Sequence, residues 1–349
     1  MQQLFKHSRP LQLESGTIIQ EFHLVYTTHG QLSKAKDNVV WVFHALTANS
    51  DPAEWWPGLI GEGKLFDPAS YFIICVNMPG SFYGSIGPLD TNPLTNRPYF
   101  HEFPLFTTRD MIRCYSLLKE ELGIDRIYIG IGGSMGGQQL LEWAIEDPNL
   151  FEHIIPIAAN AVHSPWAIAF NTSQRLAIEG DTSWKDKTPE AGIHGMKTAR
   201  SIALLSYRNY YTYQIAQSEE TSDKINGFKS ESYQRYQGEK LAKRFNAFSY
   251  YFLSKCMDAH NVGRGRGSIA TALQQIKAKA IVISISSDLL FPPEEQQFLT
   301  ENIPDNQYMT IHSDYGHDGF LLEFEQIEKV IRNYLKHQQV NNLQQETVN

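Results

Sequence analysis

The chain is poor in cysteine. Cys75, Cys114 and Cys256 are three in 349 residues. Odd in number and widely spaced, they form neither a disulfide framework nor the paired spacing of a zinc site, so reduced buried thiols and no metal are expected. An excess of basic charge is also missing, because 30 Lys and Arg stand against 38 Asp and Glu for a formal charge of −8. No overall positive field draws the chain to nucleic acid or to an anionic membrane surface, and a polyanionic ligand needs a local basic site. No apolar run reaches the length of a membrane span, and Met1-Gln2-Gln3-Leu4-Phe5-Lys6 lacks the basic, apolar and small-residue succession of a secretory leader. Repeats and low-complexity segments are absent, apart from a Gln- and Asn-rich tail from His337 onward that is too polar to pack; residues 339–349 are expected to be disordered. These absences predict a soluble, cytoplasmic protein without nucleic-acid or membrane partners.

What is present is enough for a large core: 42% apolar and 19% charged residues. β-branched and aromatic runs predict strands at Val39 to His44, Tyr71 to Val76, Arg126 to Ile131, His153 to Ala158, Ala280 to Ser286 and Tyr308 to His312. Helical periodicity over Asp110 to Leu122, closed by Gly123, predicts a crossover helix, and Glu323 to Lys336 a closing one. Alternation of the two is the pattern of a mostly parallel sheet flanked by helices. Between strands four and five the chain reads as helical over Trp166 to Ile178, His194 to Ser206 and Tyr233 to Phe252. The expected organisation is therefore a core of residues 1–164 and 269–338 with a helical lid insertion at 165–268.

Gly132-Gly133-Ser134-Met135-Gly136-Gly137 lies directly after a buried strand and before a helical run. Small neighbours permit a sharp strand-to-helix turn that exposes Ser134 Oγ and leaves the Met135 N–H at a helix N-terminus, where it can stabilise a developing oxyanion. This is the nucleophile elbow of the α/β-hydrolase fold. A Gly-rich turn with an incidental serine is the plainer reading of the five residues alone.

A serine needs a base and an orienting acid, and both follow in the order Ser, acid, His. Asp288 comes after the fifth predicted strand, where open α/β sheets place their sites, and His317 lies in the polar turn Asp314-Tyr315-Gly316-His317-Asp318-Gly319 beyond the sixth. The second oxyanion donor is expected in His44-Ala45-Leu46-Thr47-Ala48, at the Leu46 N–H, with His44 a strand-end histidine without chemistry.

These motifs resemble the homoserine O-acyltransferases of methionine biosynthesis, the acetyl-CoA-dependent members in particular. The similarity runs through His44-Ala45-Leu46-Thr47, Trp55-Trp56, Asn92-Pro93, Thr108-Arg109-Asp110-Met111, the elbow with Glu142-Trp143-Ala144, Gly263-Arg264-Gly265-Arg266-Gly267 and Gly316-His317-Asp318. The segment Asn77 to Gly84 departs from the Gly-Gly-Cys type usual there. The resemblance implies no permanently bound cofactor, acetyl-CoA as cosubstrate, and an acetyl group passed through Ser134 to the hydroxyl of L-homoserine, with His317 and Asp288 completing a triad. It further implies an acceptor site made by Arg200, Tyr207 and Asp318. Arg200 and Tyr207, seven residues apart, share a helix face. Arg208 is a rival to Arg200, and Asp318 can equally be a turn-forming aspartate. Arg264 and Arg266 suit CoA phosphate or a purely structural loop. The family is typically dimeric, which implies a homodimer through the lid helices. A succinyl donor, a serine acceptor, and an esterase using water stay open as alternatives.

Overall fold

The computed structural model describes the backbone of residues 1–346. An eight-stranded sheet organises it: β1 (Gln2–His7), β2 (Phe22–His29), β3 (Val39–Phe43), β4 (Phe72–Val76), β5 (Ile127–Gly133), β6 (Phe151–Ile157), β7 (Lys279–Ile285) and β8 (Asn306–Ile311), in the spatial order β1-β2-β4-β3-β5-β6-β7-β8. β2 runs antiparallel to both its neighbours, and the pairs from β4 to β8 are parallel. The six strands expected from the sequence are all present within two residues. β1 and β2 are additional, and β1 alternates between exposed and half-buried side chains as an edge strand does.

Each central strand is buried on both faces, so its apolar run is continuous and its alternate residues feed two cores. Trp41 and Phe43 pack on one face with Tyr115 and Trp143, the Trp41 and Trp143 rings meeting edge to face at 4.9 Å. Val40 and Val42 pack on the other with Ile129, Ile131 and Ile283, against Ile327 and Ile331 of the last helix. That helix runs Phe324–Glu346. It passes the expected end at Lys336 and carries a helical backbone into the segment read as a disordered tail. Residues 347–349 of that tail lie outside the described residues. The crossover helix α1 (Thr108–Glu121) starts at a reciprocal cap between Thr107 and Asp110, and Gly123 follows it with φ of 63°.

The chain leaves the sheet after β6 and rejoins it at β7. Between them lie α3 (Pro165–Glu179), α4 (Ile193–Tyr207), α5 (Tyr210–Gln217), α6 (Lys229–Ala242) and α7 (Ala247–Asp258), numbered after the elbow helix α2 (Met135–Glu146). The single helix expected over Tyr233 to Phe252 is broken. Asn246 accepts the Ser249 N–H at 2.8 Å and starts a new helix, a capping signal that lay inside the apolar period.

The turn from β5 into α2 is tightly packed. Ser134 has φ of 57° and ψ of −127°, a region non-glycine residues rarely occupy and one that costs on the order of 1–3 kcal/mol. The Ser134 N–H donates to Ile157 O at 3.0 Å, and Ser134 O accepts from Gln138 N–H at 3.2 Å. A Cβ on Gly136 would sit 2.1 Å from Phe43 O, and one on Gly132 would sit 2.5 Å from Gly136 C. The helix therefore rests on the strands with no room for a methyl group.

Gly136→Ala should lower the thermal midpoint by several degrees or leave the chain insoluble, since the obstructing atom is backbone and cannot swing aside; an unchanged midpoint would contradict the close approach. Burial also holds four histidines neutral, taking His44, His153 and His260 down to about 4 and His163 to about 3 from 6.5. Their folded-state pKa values lie below the unfolded value. The stabilisation is therefore complete above pH 6.5 and is lost as pH falls toward 4, at up to about 1.4 kcal/mol per pH unit for each histidine. Urea midpoints should fall from pH 7 to pH 5 and stay level from pH 7 to pH 8.

Candidate active site

The C-terminal ends of β5, β7 and β8 bring three side chains to one edge of the sheet. Ser134 stands on the elbow. Asp288 follows β7 in a turn where its Oδ1 accepts the N–H groups of Leu290 (2.8 Å) and Phe291 (2.9 Å). His317 lies in the single helical turn Gly316–Asp318 beyond β8, a turn secured by Gly316 N–H donating to Ser287 Oγ at 3.0 Å. His317 Nδ1 is 2.6 Å from Asp288 Oδ2, and its Nε2 is 2.8 Å from Ser134 Oγ. With both Asp288 oxygens accepting, Nδ1 carries the imidazole proton, leaving Nε2 to accept from the serine hydroxyl. All three residues are buried. The Phe291 ring stacks on the imidazole at 5.0 Å and 16°, and Phe320 meets it edge-on at 5.3 Å. Such a chain can withdraw a proton from the serine and hold it on the imidazole, beside a carboxylate that stabilises the positive charge.

The N–H groups of Leu46 and Met135 donate to no protein acceptor among the described residues. The Met135 N–H opens α2, where the helix dipole is positive, and Leu46 lines the cavity above Ser134. The Ala45 to Ala48 turn that carries Leu46 is closed by Ala48 N–H donating to Ala45 O at 3.0 Å. His44 is wholly buried beneath it: Nε2 accepts the Met78 N–H at 3.0 Å, so Nδ1 carries the proton and donates to Ala45 O at 2.9 Å. Both ring nitrogens are occupied, and the residue shapes the turn.

The cavity is about 500 Å³ and is lined by Ser134, His317, Leu46, Arg200, Tyr207 and Asp318, together with Tyr83, Glu54 and Arg244. The Arg200 guanidinium lies 5.3 Å from the Tyr207 ring centroid, both on α4. Arg208 does not reach the cavity wall. Its Nε is 3.1 Å from Asp318 Oδ2, an ion pair without the alignment of a hydrogen bond. Burial pushes the Asp318 carboxyl up, while Arg208 and Arg200 pull it down. Burial also raises the Tyr207 hydroxyl, which stays protonated at neutral pH.

Arg264 and Arg266, expected either at a CoA phosphate or in a structural loop, lie away from the cavity. Arg264 Nε pairs with Glu14 at 2.8 Å, and Arg266 Nη2 pairs with Glu142 at 2.7 Å and Glu146 at 2.6 Å. Arg109 joins the same carboxylates, with Nη1 at 2.9 Å from Glu14 and Nε at 2.7 Å from Glu142. The guanidinium groups neutralise carboxylates of the fold, and neither Arg264 nor Arg266 lines the cavity. Tyr83, Glu54 and Arg244 were absent from the expected site. Arg244 falls at the break between α6 and α7, so the Asn246 cap was the one signal that could have turned it out of a continuous helix toward the core.

A model of the alpha/beta hydrolase fold matches residues 38–324. Among solved structures, the homoserine O-acetyltransferase from Bacillus anthracis has a TM-score of 0.88 at 23% identity, covering 96% of this chain and 97% of its own. Esterase E22 has 0.86 at 24%, covering 96% and 99%. At such identities these two structures speak for the fold alone. Sequence similarity goes further, since the homoserine O-acetyltransferase of Cyclobacterium marinum is 49% identical over 333 residues and 95% of each chain. Near-complete coverage at that identity means that this chain belongs to the homoserine O-acetyltransferase family, within the α/β-hydrolase fold.

Proposed function

We propose that the protein transfers an acetyl group from acetyl-CoA to the hydroxyl of L-homoserine in methionine biosynthesis, by a ping-pong exchange through an acetyl-Ser134 intermediate in the cytoplasm. The observation that carries this reading is the unbroken Ser134, His317, Asp288 chain beneath a cavity that also holds Arg200 and Asp318. An ester hydrolase needs the first part alone. A zwitterionic amino-acid acceptor needs the second as well, a cation for its carboxylate and an anion for its ammonium group.

In the first half-reaction Ser134 Oγ attacks the thioester carbonyl as its proton passes to His317 Nε2. The oxyanion is received by the Leu46 and Met135 N–H groups. The tetrahedral adduct collapses, the carbon–sulfur bond breaks, and the imidazolium returns its proton to the CoA thiolate. In the second half-reaction the homoserine hydroxyl gives its proton to His317, attacks the acetyl ester, and Ser134 Oγ leaves with that proton. Asp288 keeps the imidazole in one tautomer throughout. Arg200 binds the acceptor carboxylate while Asp318 faces the ammonium group and Tyr207 supplies a hydroxyl. The α3 to α7 insertion serves as a lid that keeps water from the acyl-enzyme, which is what separates transfer from hydrolysis.

The same insertion offers a surface for a second copy of the chain. Leu205, Tyr210, Tyr211 and Ile215 are 56%, 71%, 62% and 79% exposed. Large apolar side chains exposed on α4 and α5 suit an association surface, and a two-fold homodimer is the simplest assembly that covers them.

Intact-mass spectra of the protein mixed with acetyl-CoA should show one added acetyl group, absent in Ser134→Ala, whose kcat falls by roughly 10⁴-fold or more. An acetylated Ser134→Ala protein would remove the mechanism. Arg200→Ala should raise the homoserine KM by about 10–100-fold, the worth of a charged hydrogen bond, and leave the acetylation step unchanged; slowed acetylation instead would move Arg200 to the donor side. In sedimentation velocity the protein should run as a dimer, and Ile215→Lys combined with Tyr211→Glu as a monomer. A monomeric parent protein would contradict the assembly.

A further inference from the structure

Arg244 stands where the helical insertion meets the core, in the short connection between α6 and α7. Its Nη1 donates to Thr47 O and to the Tyr83 hydroxyl, and its Nη2 lies 3.5 Å from Thr47 Oγ1. Tyr83 Oη donates to the same Thr47 carbonyl at 3.2 Å. Tyr83 belongs to the Asn77 to Gly84 segment, and the Asn77 side chain holds its backbone, Nδ2 donating to Tyr83 O at 2.7 Å. Three parts of the chain therefore converge on one peptide carbonyl. That carbonyl lies one residue beyond Leu46, in the turn whose opposite side is set by His44.

We infer that Arg244 is a positioning residue, which ties the helical insertion to the oxyanion turn through Thr47 O and so holds the Leu46 N–H in line with Ser134 only while the insertion is seated on the core. The inference rests on the acyl-transfer reading of Ser134. From below, the His44 to Ala45 hydrogen bond restrains the start of the turn. From above, Arg244 and Tyr83 restrain its end. A β-turn held at both ends cannot rotate its intervening amides, and oxyanion stabilisation depends on donors fixed before the charge develops. The guanidinium suits the task because it presents several N–H groups in one plane, two of them used here on acceptors from separate segments.

The test compares Arg244→Met, which keeps the aliphatic stem, and Arg244→Lys with the parent protein on p-nitrophenyl acetate and on acetyl-CoA. Affinity for a small alkylboronic acid, which forms a tetrahedral adduct with Ser134, is measured in parallel. For Arg244→Met, kcat should fall by the same factor on both donors, about tenfold and so less than outright removal of an oxyanion donor, with KM unchanged. Boronate affinity should fall by a matching factor, and Arg244→Lys should recover part of each loss. A loss confined to the acetyl-CoA KM, with ester turnover and boronate affinity intact, would overturn the inference and make Arg244 a contact for the donor's phosphates. If Arg244→Met fails to fold, Tyr83→Phe takes its place, with smaller losses in the same readouts supporting the inference and unchanged boronate affinity overturning it. Failure of the parent protein to acetylate homoserine would count against the transferase reading alone, because the ester and boronate comparisons test Arg244 independently of the acceptor.

Discussion

The contact between the elbow helix and the strand beside it governs the rest of the molecule. Gly136 lies so close to Phe43 O that no Cβ can intervene, and this proximity lets α2 start one residue after β5 ends. From that follow the strained Ser134 backbone, the exposure of its hydroxyl above the sheet edge, and the Met135 N–H at the helix's positive end. The parallel strands on either side then determine where the loops after β7 and β8 emerge, and hence where Asp288 and His317 stand. A buried sheet with two apolar faces is the rigid body against which about 1–3 kcal/mol of local strain is held.

Electrostatics around the site divides into two sets. Arg109, Arg264 and Arg266 meet Glu14, Glu142 and Glu146 in a network that fastens the N-terminal region and the loop after α7 onto α1 and α2. Burial alone would raise Glu14, yet hydrogen bonds and charge from Arg264 and Arg109 bring it down to about 2, so it is ionised at neutral pH. In the second set Arg200 and Asp318 line the cavity, while Arg208, which does not, pairs with the Asp318 carboxylate. A guanidinium that already has its carboxylate holds the fold, and one that faces an open cavity is available to a ligand.

How much was legible in the sequence follows the range of the interaction that carried it. The central strands declared themselves because burial on both faces demands unbroken apolar runs such as Val39 to Phe43. β1 and β2 did not, since better-buried positions alternate along them with more exposed ones. Ser134, Asp288 and His317 were readable because a Gly-flanked turn and two polar loops directly after strands are local signals. The role of Arg264 stayed open between phosphate and loop because its partner Glu14 is 250 residues away in sequence. Arg244 and Tyr83 were missed for the same reason, lying 161 residues apart with Thr47 a further stretch upstream. Nothing in the composition of either neighbourhood records such a pairing.

The stacking of Phe291 on the His317 ring has a kinetic meaning. With one face of the imidazole covered, Phe320 against its edge and Nδ1 engaged by Asp288, the ring can neither tilt nor flip without losing these contacts. Nε2 therefore presents a single proton port aimed at Ser134. In the proposed exchange the departing thiol and the arriving hydroxyl must use that port in succession, from the same spot and never together. The two half-reactions would therefore alternate at one nitrogen, an ordering that originates in one aromatic ring lying flat against another.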